Sequence, residues 1–168
     1  MRSITVKAPA KINLFLDVLN KRPDGYHNIV TIFQRIALYD TIKVKKTAKY
    51  ISLLCDSSDV PSGKNNIVYK AAKLMRAELG IKDGLDITLK KRIPVCAGLG
   101  GGSSDAAAVI KAINLIFNLN LSPGRLRAIA ANVGADVPFF LTDESCAIGR
   151  GVGERLRGCR AFLTHMFC

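Results

Sequence analysis

The sequence lacks the long apolar runs that mark membrane-spanning and secreted proteins. None of its apolar stretches approaches the ~20 residues that a membrane-spanning helix requires. The first residues alternate in polarity, as a strand does, and include no apolar signal-peptide block. The sequence therefore favours a soluble, cytoplasmic protein with no membrane partner.

Paired cysteines are also missing. The chain has five cysteines, an odd number, and no Cys-x-x-Cys pair: Cys55, Cys96, Cys146, Cys159 and Cys168. This spacing argues against both a zinc site and a disulfide framework. Free thiols, as expected in a reducing compartment, are the favoured interpretation.

Acidic residues are few compared with basic ones, 13 against 25, which gives a formal net charge of +12. Such an excess suggests an anionic partner, which could be a nucleic acid, a membrane surface or a polyphosphate ligand. Charge alone does not choose among these. The basic residues are spread along the chain without interleaved aromatic residues or a known binding motif, so a nucleic acid is the less favoured partner.

Polarity patterns predict a mixture of strands and helices with strand-rich segments early in the chain. Residues 4–18 read as two extended segments broken at Pro9, and residues 41–44 and 50–54 read as a hairpin pair. The remaining predicted elements are a strand at 85–89 and helices at 66–79, at 103–117 and from a cap at Ser122 to about Asn132. This order predicts a two-layer α+β or α/β domain.

The most informative stretch is a glycine-rich loop, residues 93–107, between a predicted strand and a predicted helix. Its four glycines allow positive φ angles and a close approach to a ligand. Ser103 or Ser104 can cap the helix, whose free amides and positive dipole end attract phosphate. A Walker loop is excluded because no lysine occurs there, and a dinucleotide fingerprint is excluded because Ser103 stands where its third glycine should be.

The loop pattern, Pro-x-x-x-Gly-Leu-Gly-Gly-Gly-Ser-Ser-x-Ala-Ala, resembles the phosphate loop of the GHMP kinase superfamily, which includes the galactokinases, homoserine kinases and mevalonate kinases. Four further segments, residues 8–14, 22–27, 134–140 and 149–154, resemble signatures of one of its families, the diphosphocytidyl-methylerythritol kinases. The resemblance covers nearly all of residues 4–156 in consistent order.

The resemblance implies a fold and a reaction. The fold is the two-layer α+β amino-terminal domain of GHMP kinases, like domain 2 of ribosomal protein S5. The reaction is phosphorylation of a hydroxyl group on a cytidine-linked sugar alcohol, with ATP and Mg2+, in non-mevalonate isoprenoid biosynthesis.

It also implies roles for individual residues. Asp136 would be the catalytic base and Lys11 would lie beside it, with Asn13 holding the methylerythritol end of the substrate. Tyr26 would stack on the cytosine and His27 would bind its edge.

The nucleotide would be held by a second group of residues. Asn66 would lie near the adenine, although a helix N-cap is an equally good interpretation of it. The resemblance assigns the phosphates to Gly98, Leu99, Gly100, Gly101, Gly102, Ser103 and Ser104. The sequence does not single out the ligands of the magnesium ion.

The family has a second, carboxy-terminal domain that the resemblance does not find here. We therefore expect residues 1–157 to form the ATP-binding domain and residues 158–168 to be an atypical tail. The tail could be a last strand, but a truncated or out-of-frame end is the favoured interpretation. An exposed interdomain surface, self-association and impaired activity would follow. The alternatives are a noncatalytic nucleotide-binding fragment and a basic nucleic-acid-binding domain.

Overall fold

The structure, a computed structural model, describes residues 2–61 and 63–159. Within these residues the strands are β1 (Ser3–Lys21), β2 (His27–Thr47), β3 (Ile51–Cys55), β4 (Gly84–Lys90), β5 (Cys146–Gly151) and β6 (Arg155–Gly158). The helices are α1 (Ile67–Glu78), α2 (Gly101–Ile116) and α3 (Pro123–Ala131), with short 3-10 turns at Gly63–Asn65 and Val137–Leu141. Most of the predicted tail, from residue 160 onward, lies outside the described residues.

The strands form one sheet in the order β3-β4-β2-β5-β6, with β1 paired along β2. The long β2 pairs with β4 through residues 41–47 and with β5 through residues 29–34. The predicted hairpin between residues 41–44 and 50–54 is wrong, because β4 lies between β2 and β3 and pairs with β3 in parallel. A parallel pair needs a crossover, and α1 provides it by returning the chain to the same end of the sheet.

The predicted break at Pro9 is also wrong, because β1 runs through this residue without ending. The register along β2 instead shifts, from Pro9 opposite Tyr39 to Ala10 opposite Ile36. Proline has no amide hydrogen for a strand ladder, and such residues are accommodated at bulges. The strand therefore continues past Pro9 through a shift of register.

Two of the three helices begin at the predicted caps. The side chain of Asn66 accepts a hydrogen bond from the amide of Val68 at 2.8 Å, and that of Ser122 accepts one from Arg125 at 3.3 Å. Helix α2 differs. Its N-cap is Gly100, with a φ of 67° and no side-chain cap among the described residues, so the predicted cap at Ser103 or Ser104 is wrong.

Helix α2 packs its apolar face on the sheet and forms the centre of the core. Val109, Ile110 and Ile113 are fully buried, as are Ile42 and Ile87 of the sheet. The helices and the sheet therefore make two layers, which confirms the predicted α+β class. None of the helices in residues 2–61 and 63–159 is long and apolar enough to cross a bilayer.

Candidate active site

A cavity of about 380 Å³ lies beside the loop that joins β4 to α2. Loop residues 94–103 form one wall of this cavity. Asn66 and Ile67, at the start of α1, and Pro61 form another part of the lining. The predicted phosphate loop and the predicted adenine-side residue therefore border one cavity.

The loop has the backbone geometry of an anion site. Gly98 and Gly100 have φ angles of 73° and 67°, values that favour glycine. The amides of Gly101, Gly102 and Ser103 occupy the first turn of α2, where a helix offers its own amides no acceptor. Free amides at the positive end of a 16-residue helix attract phosphate.

Ser104 is placed differently from the other predicted nucleotide-binding residues. Its amide donates to the carbonyl oxygen of Gly100 at 2.9 Å, so this amide is already used within the helix. Ser104 is 1% exposed and lines a different cavity, which Pro9 and Tyr39 of the sheet also border. The structure therefore gives no support for a direct phosphate contact by Ser104.

Lys11 connects the loop to the predicted catalytic aspartate. Its amide donates to the carbonyl oxygen of Leu99 at 2.9 Å, and its ammonium nitrogen lies 3.4 Å from Oδ2 of Asp136. Gly100 lies so close that an added Cβ atom would be 2.9 Å from Cγ of Lys11 and 3.1 Å from Cζ of Phe140. The loop, Lys11 and Asp136 therefore meet at one place.

The position of the Lys11 ammonium group is fixed by a chain of hydrogen bonds. The group donates to Oδ1 of Asn13 at 2.6 Å, and the amide of Asn13 donates to the hydroxyl oxygen of Thr31 at 2.6 Å. That hydroxyl donates in turn to the carbonyl oxygen of Phe15 at 2.8 Å. Lys11 is 6% exposed, whereas 31% of the Asp136 side chain is exposed, so the carboxylate is the member of the pair that a substrate can reach.

Tyr26 and His27 lie apart from this pair, at the turn between β1 and β2. Both are exposed, and His27 begins β2 opposite Lys21. His27 and Thr31 are four positions apart along β2, a span of about 13 Å. The structure therefore puts these two predicted residues in a separate part of the site, at the other end of an exposed hairpin.

Asn66 is the N-cap of α1, and its place near an adenine stays a prediction. Its side-chain oxygen caps α1, and its side-chain nitrogen donates to the carbonyl oxygen of Pro61 at 2.9 Å. The residue borders the cavity and is 3% exposed. Its side-chain oxygen and nitrogen are already bonded to the protein. Its contribution is therefore to hold the cavity wall in place.

A buried group of three charged residues beside the loop was not predicted. The ammonium nitrogen of Lys91 lies 2.5 Å from Oδ2 of Asp40 and 2.8 Å from Oδ2 of Asp105. Burial raises the pKa of Asp105 to about 7, an effect that contact with Lys91 opposes and the charge of Asp40 reinforces. Burial lowers the pKa of Lys91, but the two carboxylates outweigh burial and the net change is upward. The sequence showed only a lysine before the loop and an aspartate after it, and Asp40 lies 51 residues before Lys91.

Comparison with known proteins relates these features to a family. Residues 66–144 match the model of the GHMP kinases N terminal domain. The chain is 50% identical over 162 residues to a 4-diphosphocytidyl-2-C-methyl-D-erythritol kinase of Acetivibrio thermocellus, an alignment that covers 96% of this chain and 57% of the relative. A protein of the same name from Geobacter sulfurreducens is 48% identical over 157 residues, covering 93% and 56%.

Comparison with solved structures agrees with the sequence comparison. The crystal structure of a 4-(cytidine 5'-diphospho)-2C-methyl-D-erythritol kinase matches with a TM-score of 0.80 and 42% identity, over 93% of this chain and 55% of that one. A mevalonate kinase structure matches with a TM-score of 0.71 at 20% identity, over 94% and 56%, and shows a shared fold. The chain spans slightly more than half the length of the curated relatives named above.

Proposed function

We propose that this chain, which carries the amino-terminal domain of the GHMP kinases, is the nucleotide-binding part of a kinase that phosphorylates 4-diphosphocytidyl-2-C-methyl-D-erythritol. The observation that carries the proposal is the Lys11–Asp136 pair, 3.4 Å apart, beside Gly100, the positive-φ glycine that caps α2. ATP would place its phosphates on the amides of the loop, and its γ-phosphoryl group would then face this pair.

The proposed reaction depends on positioning. A carboxylate is too weak a base to deprotonate a free alcohol, but in a loose transition state the proton leaves late and orientation dominates. Asp136 accepts the hydrogen bond of the attacking hydroxyl group and then its proton. Lys11 keeps Asp136 charged and offsets negative charge on the transferring group, and its bond to Asn13 holds it ready for this task.

The substrate would lie along the β1–β2 hairpin. Its reacting hydroxyl group would be near Asp136, and its cytosine would be near Tyr26 and His27. A span of about 13 Å along the strand suits an extended ligand with a diphosphate between its two ends. Stacking of cytosine on Tyr26 would contribute about 1–3 kcal/mol.

Magnesium would accompany the phosphates of ATP. In the described residues no three His, Cys, Asp or Glu side chains come together as a metal cage. Mg2+ bound with a nucleotide needs only one or two protein ligands besides phosphate and water oxygens. The cation would therefore be held mainly by phosphate and water oxygens, which leaves the carboxylate of Asp136 free for the substrate hydroxyl group, and it would add positive charge near the transferring group.

We expect slow turnover from the chain on its own. The apolar side chains of Phe15, Leu16 and Val18 on β1, beside the proposed substrate path, are about half exposed. A substrate bound there would remain open to water, and loose orientation is costly in phosphoryl transfer. The same surface would favour self-association. The free thiols of the described cysteines fit action in the cytoplasm.

The test combines nucleotide titration with a single-turnover reaction in which the chain is in excess over the substrate. The wild-type chain should bind ATP and form the phosphorylated substrate together with ADP. Asp136→Asn should bind ATP equally well and form no product. The matched control is Asp83→Asn, because Asp83 pairs with Lys46 on the surface, at the opposite end of β4 from the loop.

Two outcomes would contradict the proposal, and a third would contradict only the expectation of slow turnover. ATP binding without any product would indicate a noncatalytic nucleotide-binding protein. RNA binding that ATP does not displace would indicate a nucleic-acid-binding domain that uses a different surface. Steady-state turnover as fast as that of a full-length relative would refute the expectation of slow turnover while supporting the kinase assignment.

A further inference from the structure

Three buried charged residues tie together the two ends of the glycine-rich loop. Lys91 directly follows β4, at the start of the loop, and Asp105 lies in the first part of α2, just after it. Asp40 belongs to β2. Lys91, Asp40 and Asp105 are called the clamp below.

The contacts of the clamp reach both the backbone and the side chains of the loop ends. The Lys91 ammonium group donates to Asp40 at 2.5 Å and to Asp105 at 2.8 Å. The other oxygen of Asp40, Oδ1, accepts the amides of Arg92 at 2.5 Å and Ile93 at 2.9 Å. One aspartate therefore fixes the first residues of the loop, and the lysine connects them to the helix that ends it.

The clamp also lies directly against the phosphate-binding amides. An added Cβ atom at Gly101, the first residue of α2, would lie 3.3 Å from the Lys91 ammonium nitrogen. Lys91 and Asp105 both border the nucleotide cavity. A displacement of either side chain would therefore move the turn whose amides face the phosphates.

Stability alone does not explain this arrangement. The side chains of Lys91, Asp40 and Asp105 are 7%, 0% and 2% exposed, and removing three charges from water is costly. Proteins in which apolar side chains of similar volume replace a buried ion pair often fold as well or better. We therefore attribute this buried group to the geometry that it imposes. The geometry imposed here is that of the loop.

The charge of the clamp suits a site for anions. Lys91 and Asp40 are the charged groups that act on Asp105 in the described residues, and burial raises the pKa of Asp105 to about 7. Below that pH Asp105 is mostly neutral, and the positive charge of Lys91 balances the negative charge of Asp40. Oδ1 of Asp105 has no hydrogen-bond partner within the described residues, which fits a carboxyl group that holds a proton.

We propose that Asp40, Lys91 and Asp105 are positioning residues that hold the glycine-rich loop in its nucleotide-binding shape before ATP arrives. The consequence for ATP affinity rests on the proposed kinase function, whereas the consequence for loop order does not. The clamp acts through the loop backbone and touches none of the reacting atoms.

The test measures two properties of the same variants: hydrogen exchange of the amides of residues 95–103 without nucleotide, and ATP affinity. Asp105→Ala cuts the helix end of the clamp, whereas Asp105→Asn keeps an oxygen acceptor for Lys91. The control is Asp86→Ala, because Asp86 is a surface residue of β4 whose carboxylate accepts the hydroxyl of Ser52 at 2.8 Å. Exchange at Ile110, in the core of α2, shows whether each variant is folded.

Asp105→Ala should speed loop exchange and weaken ATP binding by at least about tenfold each, as expected for loss of a charge-assisted hydrogen bond. The rate of the chemical step with bound ATP should change much less, a split that general loss of structure would not produce. Asp105→Asn and Asp86→Ala should stay close to the wild-type chain. A folded Asp105→Ala variant with wild-type loop exchange, or with faster exchange but unchanged ATP affinity, would overturn the proposal.

If Asp105→Ala does not fold, Asp105→Asn decides the matter. In the wild-type chain the pKa of Asp105 is raised to about 7, so the closed clamp holds a proton that opening of the clamp to water would release, and opening should become easier as the pH rises from about 5 to about 7. Loop exchange relative to the intrinsic rate should then become faster with rising pH in the wild type and stay constant in the variant. Identical pH profiles would overturn the clamp. Failure of the wild-type chain to bind ATP would instead contradict the proposed function and leave this comparison valid.

Discussion

Replacing Gly100 with alanine tests the meeting point of the loop, Lys11 and Asp136. The backbone of Gly100 has a φ of 67°, which costs an ordinary residue about 1–2 kcal/mol. The new methyl group would also lie 2.9 Å from Cγ of Lys11 and 3.1 Å from Cζ of Phe140. Overpacking of this kind costs about 1–3 kcal/mol further. We therefore expect Gly100→Ala to lower the free energy of unfolding by about 2–5 kcal/mol.

Gly98 offers a matched control for this substitution. Its φ of 73° carries the same backbone cost, but within the described residues no atom lies within 4 Å of an added Cβ. Gly98→Ala should therefore cost only about 1–2 kcal/mol. The difference between the two variants isolates the steric contact with Lys11 and Phe140.

The two variants are compared by urea unfolding and by single-turnover phosphorylation with saturating ATP. Only Gly100→Ala should displace Lys11, so we expect its chemical step to be at least about tenfold slower than that of Gly98→Ala, because small misplacements are costly in such reactions. Equal losses of stability and equal rates in the two variants would refute the claim that Gly100 is required by its closeness to Lys11.

Three further predictions follow from other parts of the structure. The pKa of Asp105 is raised from its ordinary value of 3.8 to about 7, so the folded state holds this proton more tightly than the unfolded state does. The contribution of Asp105 to stability should therefore fall by up to about 4 kcal/mol as pH rises from about 4 to about 7. Urea unfolding should show this fall in the difference between the free energies of unfolding of the wild-type chain and Asp105→Asn. A difference that does not change with pH would contradict the prediction. Tyr26→Ala should weaken substrate binding by about 1–3 kcal/mol without changing ATP affinity, as measured by titration with each ligand; equal effects on both ligands would refute the separate cytosine position. Arg35→Met removes two hydrogen bonds that Nη2 donates to the carbonyl oxygens of Phe139 and Thr142, at 2.7 and 2.9 Å. It should lower the free energy of unfolding by about 1–3 kcal/mol in the same assay. An unchanged unfolding midpoint would show that these bonds contribute nothing.

Much of the local structure follows from the sequence because its determinants are local. Asn66 and Ser122 cap α1 and α3 as predicted, since a cap needs only the side chain and the amides that follow it. The glycine-rich loop likewise lies between a strand and a helix. Polarity patterns therefore identify most of the elements and the loop that borders the cavity.

Features that depend on distant parts of the chain could not be predicted in this way. The partner of β3 is set by the crossover through α1 and not by the alternation of residues 51–55. Ser104 lies inside α2 and not at its cap, because the helix is capped at Gly100 and not at either serine. The contact of Lys91 with Asp40 joins residues 51 positions apart, and a single sequence contains no signal for such a pair.

The proximity of Lys11 to Asp136 is an intermediate case. The sequence alone gives two isolated residues 125 positions apart, each of which would suit a solvated surface. The family resemblance brought them together as a pair, and the structure puts their charged groups 3.4 Å apart. Whether the pair performs catalysis stays a prediction.

The most direct test of the account is a crystal structure of the chain with a nonhydrolysable ATP analogue and Mg2+. The account predicts phosphate oxygens within hydrogen-bonding distance, about 3 Å, of the amide nitrogens of Gly101, Gly102 and Ser103, with the γ-phosphate facing Lys11 and Asp136. An analogue bound elsewhere, or bound here with its γ-phosphate pointing away from that pair, would contradict it.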